Sequence, residues 1–345
     1  MNMRAWVITH TAPISQDSQS LKRVSLPIPM AGPGKVLIKV ECCGVCHTEL
    51  DEIEGRTPPP SFPIIPGHQI VGHIAQVGPN VQRWSLGQRV GLAWIYGSCG
   101  HCRQCQEGHE NLCDNFIATG RDCHGGFADY VLADGNYCIA IPSQLESVDA
   151  APLLCAGAIG YRSLKLAALK NGDPLGLTGF GASNHLVMKM AQVIYPDSPI
   201  FVFARSEKQR QHSLNLGANW AGDITDKPPS LCQSIIDTTP AWNPIMSALL
   251  VLRPGGRLVI NAIRKQSSDL IQLQSLDYSR HLWLEKEIKS VANVTKNDVQ
   301  SCIALAAMYP IIPNINRYAF ECANEAINSL KKGNIVGANV LVMRD

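Results

Sequence analysis

Leu175-Gly176-Leu177-Thr178-Gly179-Phe180-Gly181-Ala182-Ser183-Asn184-His185 is the stretch on which the reading of the fold turns. A short apolar run meets a glycine-rich turn, and helical periodicity follows from Ser183 to Tyr195, so the letters read as strand, tight turn and helix. A turn in that place aims backbone N–H groups at a helix N-terminus, where a pyrophosphate can be held. Gly179 and Gly181 take the first two glycine places of G-x-G-x-x-G. Asn184 takes the third, where glycine normally lets the helix lie close to the strand. Gly179, Gly181, Ala182 and Ser183 are therefore the candidate cofactor-binding residues. A plain βα turn without ligand fits the same letters, and the flanking sequence has to decide.

Outward from this stretch the pattern repeats. Ile200 to Ala204, Ile235 to Asp237 and Arg257 to Ala262 are further apolar runs, and Glu207 to Leu216 and Asn243 to Leu252 read as helices between them. Alternation of this kind predicts βαβ units and a doubly wound parallel sheet with helices on both faces. The residue closing the second strand selects the cofactor, because an acid there holds a ribose 2′-hydroxyl and an arginine accommodates a 2′-phosphate. Phe201-Val202-Phe203-Ala204 runs into Arg205-Ser206 with no carboxylate, which points to NADP(H). A solvated loop charge is the plainer reading of Arg205. Asp197 precedes the strand and reads as a turn former. Asp298 to Met308 and Glu321 to Lys332 read as later helices, the second stopped by Gly333, and Ala338 to Met343 as a closing strand.

The first 150 or so residues have a different texture, with short alternating strands such as Lys35 to Val40 and Ile70 to Val77 punctuated by Pro58-Pro59-Pro60 and Gly78-Pro79-Asn80. A mostly β domain is expected. Its loops carry Cys99, Cys102, Cys105 and Cys113, spaced Cys-x2-Cys-x2-Cys-x7-Cys in a polar stretch. Four thiolates in one loop suit a closed tetrahedral zinc site, which stabilises structure and does no chemistry. Buried free thiols favour apolar surroundings instead. Iron–sulfur ligation begins with the same spacing, but its fourth cysteine comes sooner and is usually trailed by proline, whereas Asp114 follows Cys113. Cys46, His68 and Cys155 could form a second site of three ligands with one position open, the arrangement of catalytic zinc. Singly, each also fits a core thiol or a locally satisfied ring.

The chain has 345 residues and a formal net charge of +2, with no basic run, so a nucleic-acid or membrane-surface footprint is missing. Small molecules and further copies of the chain are the expected partners. No apolar run approaches the roughly 20 residues of a membrane helix. Met1-Asn2-Met3-Arg4-Ala5-Trp6 lacks a signal-like apolar stretch, which makes a reducing cytoplasmic setting the expectation for the 13 cysteines.

Taken together, Cys43-Gly44-Val45-Cys46-His47-Thr48-Glu49, Gly67-His68-Gln69, Gly87-Gln88-Arg89-Val90-Gly91, the cysteine cluster, Gly126-Phe127-Ala128-Asp129-Tyr130, Ala151 to Gly157 and Leu216-Gly217-Ala218 resemble the zinc-dependent medium-chain alcohol dehydrogenases. The likeness covers essentially the whole chain and is greatest to the yeast-like ethanol dehydrogenase branch. It implies a GroES-like catalytic domain over residues 1–155 and 295–345 and a Rossmann domain over 156–294. It also implies one catalytic zinc on Cys46, His68 and Cys155, one structural zinc on the cysteine cluster, and a homodimer or homotetramer. The reaction would be reversible hydride transfer between a small primary alcohol or aldehyde and NAD(P). By position, Thr48 would relay the alcohol proton, Asp51 would stand at the end of that relay where many relatives have histidine, His47 would face the cofactor pyrophosphate, and Trp94 would line the substrate pocket. Gln69 stands where the family commonly has glutamate, and Ala338 where relatives often have an arginine for the cofactor phosphate, with Lys296 as a substitute donor. The alternatives kept open are a zinc-free quinone or enone reductase and a non-enzymatic metal-stabilised protein of iron–sulfur type.

Overall fold

Leu175–Thr178 pairs in parallel with Ile200–Phe203 on one side and with Cys232–Asp237 on the other. Every residue of the first two strands is buried, as a parallel sheet covered on both faces requires. The computed structural model, which describes residues 1–15, 17–333 and 337–343, extends this trio to six parallel strands. Trp220–Gly222 lies outside Ile200–Phe203, and Leu252–Ile260 and Glu287–Ser290 follow beyond Cys232–Asp237. The chain builds outward in one direction, then returns to the other side of Leu175–Thr178. That reversal is the topological switch point at which open α/β sheets bind ligands.

The helices Ala182–Ile194, Glu207–Asn215 and Asn243–Leu250 connect these strands. Leu252, expected to end a helix, instead begins a strand, and Gly255 at φ +67° belongs to it. The edge strand Glu287–Ser290 is exposed along its length and carries no apolar alternation to announce it. The sheet and its helices form one compact unit, Ile159–Ala292, and the rest, Met1–Ala158 with Asn293–Asp345, forms another.

The second unit is mostly antiparallel. Lys35–Val45 is its central strand, paired with Gln69–Val77, Tyr130–Asp134 and Ala338–Val342. Ile315–Ala319 pairs with Ala338–Val342 in parallel, and Arg89–Leu92 and Ile139–Ala140 complete the sheet. Ile38, Ile70, Ile74, Leu92 and Phe127 are fully enclosed in its core. The register sets Gly44 opposite Gln69, so the residue after Val45 and the residue before Gln69 emerge at the same end of the sheet. These are Cys46 and His68. The helix Lys296–Met308 begins with a Thr295–Asp298 capping box, and Ala323–Lys332 ends on Gly333 at φ +72°, the left-handed cap that glycine supplies without steric cost. Among the described residues no helix is long and apolar enough to cross a membrane.

Candidate active site

Cys46 caps the helix His47–Ile53, and one box of contacts fixes two functional groups. The Cys46 sulfur accepts the Thr48 N–H at 3.4 Å, while Glu49 Oε2 accepts the Cys46 N–H at 2.7 Å. The other Glu49 oxygen lies 2.7 Å from His68 Nδ1. That contact leaves Nε2 of the same ring facing Cys46 Sγ at 3.6 Å and Cys155 Sγ at 3.3 Å. Cys155 arrives on a π-helical turn, Leu153–Gly157, between the helices Ser147–Pro152 and Ala158–Ala167; such turns recur at functional sites. The three donor atoms lie within 4.8 Å of one another. Two soft sulfurs and one imidazole nitrogen in that space fit a divalent zinc ion.

Cys46 and His68 both hold their protons in this setting. A hydrogen bond shared with Cys155, together with burial, pushes the Cys46 thiol well above its usual range. Burial opposes charge on His68, yet Glu49 and Cys46 raise the ring well above the ordinary imidazole value. A metal held by this trio would displace those protons, and Glu49 would face the imidazole nitrogen turned away from it.

Around the trio, Trp94 meets the His68 ring edge-on at 4.8 Å between centroids and is buried. Thr48 is half-buried and His47 exposed at the start of the same helix. Gln69 is buried over Gly44, where a Cβ would come within 2.4 Å of Gln69 Oε1, so glycine is needed to admit the amide. Asp51 is buried, and Arg56 Nε engages its carboxylate. Ala338 opens a strand, and the Lys296 backbone N–H donates to Glu110 at 2.8 Å.

Cys99, Cys102, Cys105 and Cys113 likewise bring four sulfurs within 4.8 Å. Backbone N–H groups point at these sulfurs: Cys102 to Cys99 at 3.3 Å, Cys99 to Cys113 at 3.5 Å and Asn115 to Cys113 at 3.3 Å. The N–H groups of His101 and Cys102 pull the Cys99 thiol down to about 6, while, against the pull of the Cys105 N–H, burial and the neighbouring sulfurs push Cys102 up to about 11.

In the parallel-sheet unit, Gly179 adopts φ +76°, and a Cβ there would meet Thr239 Cγ2 at 2.9 Å. Gly181 has open space around its Cα and precedes the helix Ala182–Ile194, so backbone and room both suit a pyrophosphate. Ser183 lies in the first turn; the side chain of Ala182 falls outside the described parts of the structure. Asn184 solves the packing problem of the third motif position in its own way. Its Nδ2 donates to Thr178 O at 3.0 Å and Gly179 O at 2.7 Å, and approaches Ile236 O at 3.4 Å, lacing the helix to two strands. Arg205 and Ser206 are exposed after Ile200–Phe203, in a turn held by Arg210 Nη1 through Ala204 O and Arg205 O. Sequence reasoning gave no role to Glu49, Asn184 or Arg210. The spacing of Cys46 and Glu49 is that of a capping box, and this was the available signal for the first.

Residues 32–143 match the family of alcohol dehydrogenase GroES-like domains. Over 346 aligned positions the chain is 36% identical to a Mycobacterium tuberculosis protein named probable alcohol dehydrogenase, spanning 99% of this chain and 97% of that one. It is 30% identical over 338 positions to an alcohol dehydrogenase of a Moraxella strain, covering 96% and 98% of the two chains. The solved structure of a cinnamyl alcohol dehydrogenase from Sorghum bicolor superposes with a TM-score of 0.85 at 25% identity, over 99% of this chain and 98% of that one. Fold and donor clusters together are those of a metal-binding, nucleotide-linked dehydrogenase. The chain belongs to the zinc-binding medium-chain dehydrogenase/reductase superfamily, and it is an NAD(P)-linked oxidoreductase.

Proposed function

We propose that this enzyme interconverts small primary alcohols and aldehydes with NADP(H) as the preferred nicotinamide, in the manner of the yeast-like ethanol dehydrogenases. The observation that carries the reading is the trio Cys46, His68 and Cys155, whose donors converge within 4.8 Å and number one fewer than a closed structural zinc site has. A zinc ion held there would supply Lewis acidity to the alcohol or carbonyl group, and the nicotinamide would take or give the hydride.

The chain's own residues do the rest. Cys46, His68 and Cys155 grip the catalytic ion, and Glu49 orients the imidazole. Thr48 takes the alcohol proton, and Asp51, whose carboxylate is held by Arg56, stands on the route outwards. Trp94, packed on His68, narrows the pocket against bulky substrates. Cys99, Cys102, Cys105 and Cys113 hold a second, structural zinc. Gly179, Gly181, Ala182 and Ser183 seat the pyrophosphate, and Arg205 with Ser206 accommodates a 2′-phosphate.

A homodimer or homotetramer is supported by the open edge strand Glu287–Ser290 and by the exposed Trp283, Leu284 and Ile288 beside it, since unpaired edges and apolar patches seek partners. The setting is a reducing, cytoplasmic one, in which the free cysteines stay as thiols. Steady-state rates with ethanol, longer alcohols and aromatic aldehydes, each with both nicotinamides, test the substrate and cofactor together. Highest efficiency with short primary alcohols and NADPH-linked reduction of their aldehydes is expected; activity only on enones, or none without added iron, would overturn the reading. Light scattering reads the assembly, and a monomer would remove the oligomer.

A further inference from the structure

Asp237 ends a central strand of the parallel sheet fully buried, and Lys265, 9% exposed in its side chain, reaches it from the segment after the next strand. The ammonium meets three acceptors: Asp237 Oδ2 at 2.5 Å, Thr239 O at 2.7 Å and Ala241 O at 3.2 Å. An ammonium has three donors and no acceptor, so this cage satisfies it completely. The other Asp237 oxygen accepts the Thr239 hydroxyl at 2.7 Å. Further ties join the same two segments. Asn261 N–H donates to Asp237 O and Gln266 N–H to Pro240 O, both at 2.7 Å. Asp269 Oδ2 accepts the N–H groups of Trp242 and Asn243 at 2.8 and 2.9 Å.

The clasp lies at the carboxyl ends of the strands beside the switch point. Thr239 is the residue that packs into the space left by the missing Cβ of Gly179, and Thr238 N–H donates to Thr178 O at 3.1 Å. Lys265 thus holds both the carbonyl of Thr239 and the carboxylate that holds its hydroxyl. Since the 2′-position of the adenosine ribose is read after Ile200–Phe203, the other half of a dinucleotide extends over the Cys232–Asp237 side.

We infer that Lys265 is a positioning residue for the nicotinamide cofactor, clasping residues 237–241 so that Thr239 keeps the Gly179 turn in its pyrophosphate-binding form. This rests on the proposed seat of the dinucleotide at Gly179. Removing the ammonium takes the charged donor from Asp237 Oδ2 and from the Thr239 and Ala241 carbonyls, and such buried groups rearrange to reach water. Burial already pushes the Asp237 carboxyl up, against the pull of Lys265 and Thr239.

The test compares the zinc-loaded wild type with Lys265→Met, and with the Asp237→Asn/Lys265→Met double variant, which folds without an unpaired buried charge. NADPH and NADH dissociation constants are read by fluorescence, with cofactor KM, kcat and zinc per chain alongside. Both variants weaken NADPH binding and raise its KM at least about tenfold, while kcat at saturation changes less than about threefold and the zinc content stays. Binding within about twofold of wild type in the variants overturns the inference. Hydrogen exchange of the wild type without cofactor gives an independent reading: the Asn261, Gln266, Trp242 and Asn243 amides are protected beforehand, and free exchange until NADPH is added overturns the clasp. Failure of the wild type to bind either nicotinamide would instead sink the seat at Gly179 and the clasp with it.

Discussion

Glu49 Oε1 stands 2.7 Å from His68 Nδ1, while the other oxygen of the same carboxylate closes the helix cap on Cys46 at 2.7 Å. One fully buried side chain therefore sets the positions of two of the three donors. Outer partners of this kind are typically worth 10–100-fold in metal affinity. Glu49→Gln is expected to weaken zinc at the Cys46 trio by about that factor while the Cys99 cluster keeps its ion. Chelator competition with metal analysis reads it, and equal affinity in the variant would show that Glu49 merely fills space.

Gln69 occupies a buried place over Gly44, next in sequence to His68, and carries no charge. Gln69→Glu is expected to keep one zinc ion at the trio, because the three donors are untouched. Metal analysis of the purified variant checks this, and loss of the catalytic ion would mean that the neutral amide is itself required.

Asn184 holds three carbonyls with one amide group. Asn184→Gly restores the usual glycine motif on paper, yet it removes those contacts from a buried site. A loss of about 1–3 kcal/mol in the stability of the parallel-sheet unit is expected, with weaker NADPH binding. Denaturant midpoints read the first and fluorescence titration the second. A more stable variant would show that the motif glycine, not the amide lacing, is the better solution here.

The legible part of this architecture is what lies close in sequence. The cysteine cluster occupies a single loop, and the strand, turn and helix around Gly179 are contiguous, so spacing alone conveys both. The trio is different. Cys46 and His68 meet only because Gly44 pairs with Gln69, and Cys155 is delivered by a π-helical turn that no periodicity announces. Lys265 and Asp237 are 28 positions apart, and no local spacing joins the end of the Ile235 to Asp237 run to that lysine. The Leu252–Ile260 strand starts where helical letters still run, since the pairing of Cys232 with Leu252 outweighs local preference.

Glu54 carries the pH dependence most open to measurement. Burial raises its carboxyl, but Lys331, Arg56 and the Ile14 N–H overcome this and bring it down to about 2; Lys331 Nζ lies 2.6 Å away. The folded value is below the unfolded one of about 4.3. Its stabilisation is therefore complete above about pH 4.3 and is lost as pH falls towards 2. Glu54→Gln is expected to be less stable than wild type by about 1–3 kcal/mol at pH 7, with the gap closing between pH 4.3 and 2. Urea midpoints across that range check it, and a constant gap would contradict the assignment.

Arg205 bears on cofactor choice. Arg205→Ala is expected to lower kcat/KM for NADPH at least about tenfold and to leave that for NADH within about twofold. Equal losses with both cofactors would return Arg205 to the role of a solvated loop charge.

The claim on which the proposed chemistry stands is that Cys46, His68 and Cys155 grip one divalent ion and leave a vertex free. Anomalous diffraction at the zinc edge, from crystals of the full chain grown with zinc, tests it most directly. The predicted map has one peak at about 2.0–2.3 Å from the two sulfurs and Nε2 of His68, with a non-protein oxygen in the fourth place, and a second peak inside the Cys99 cluster. A map with the cluster filled and no peak among Cys46, His68 and Cys155 would contradict the account.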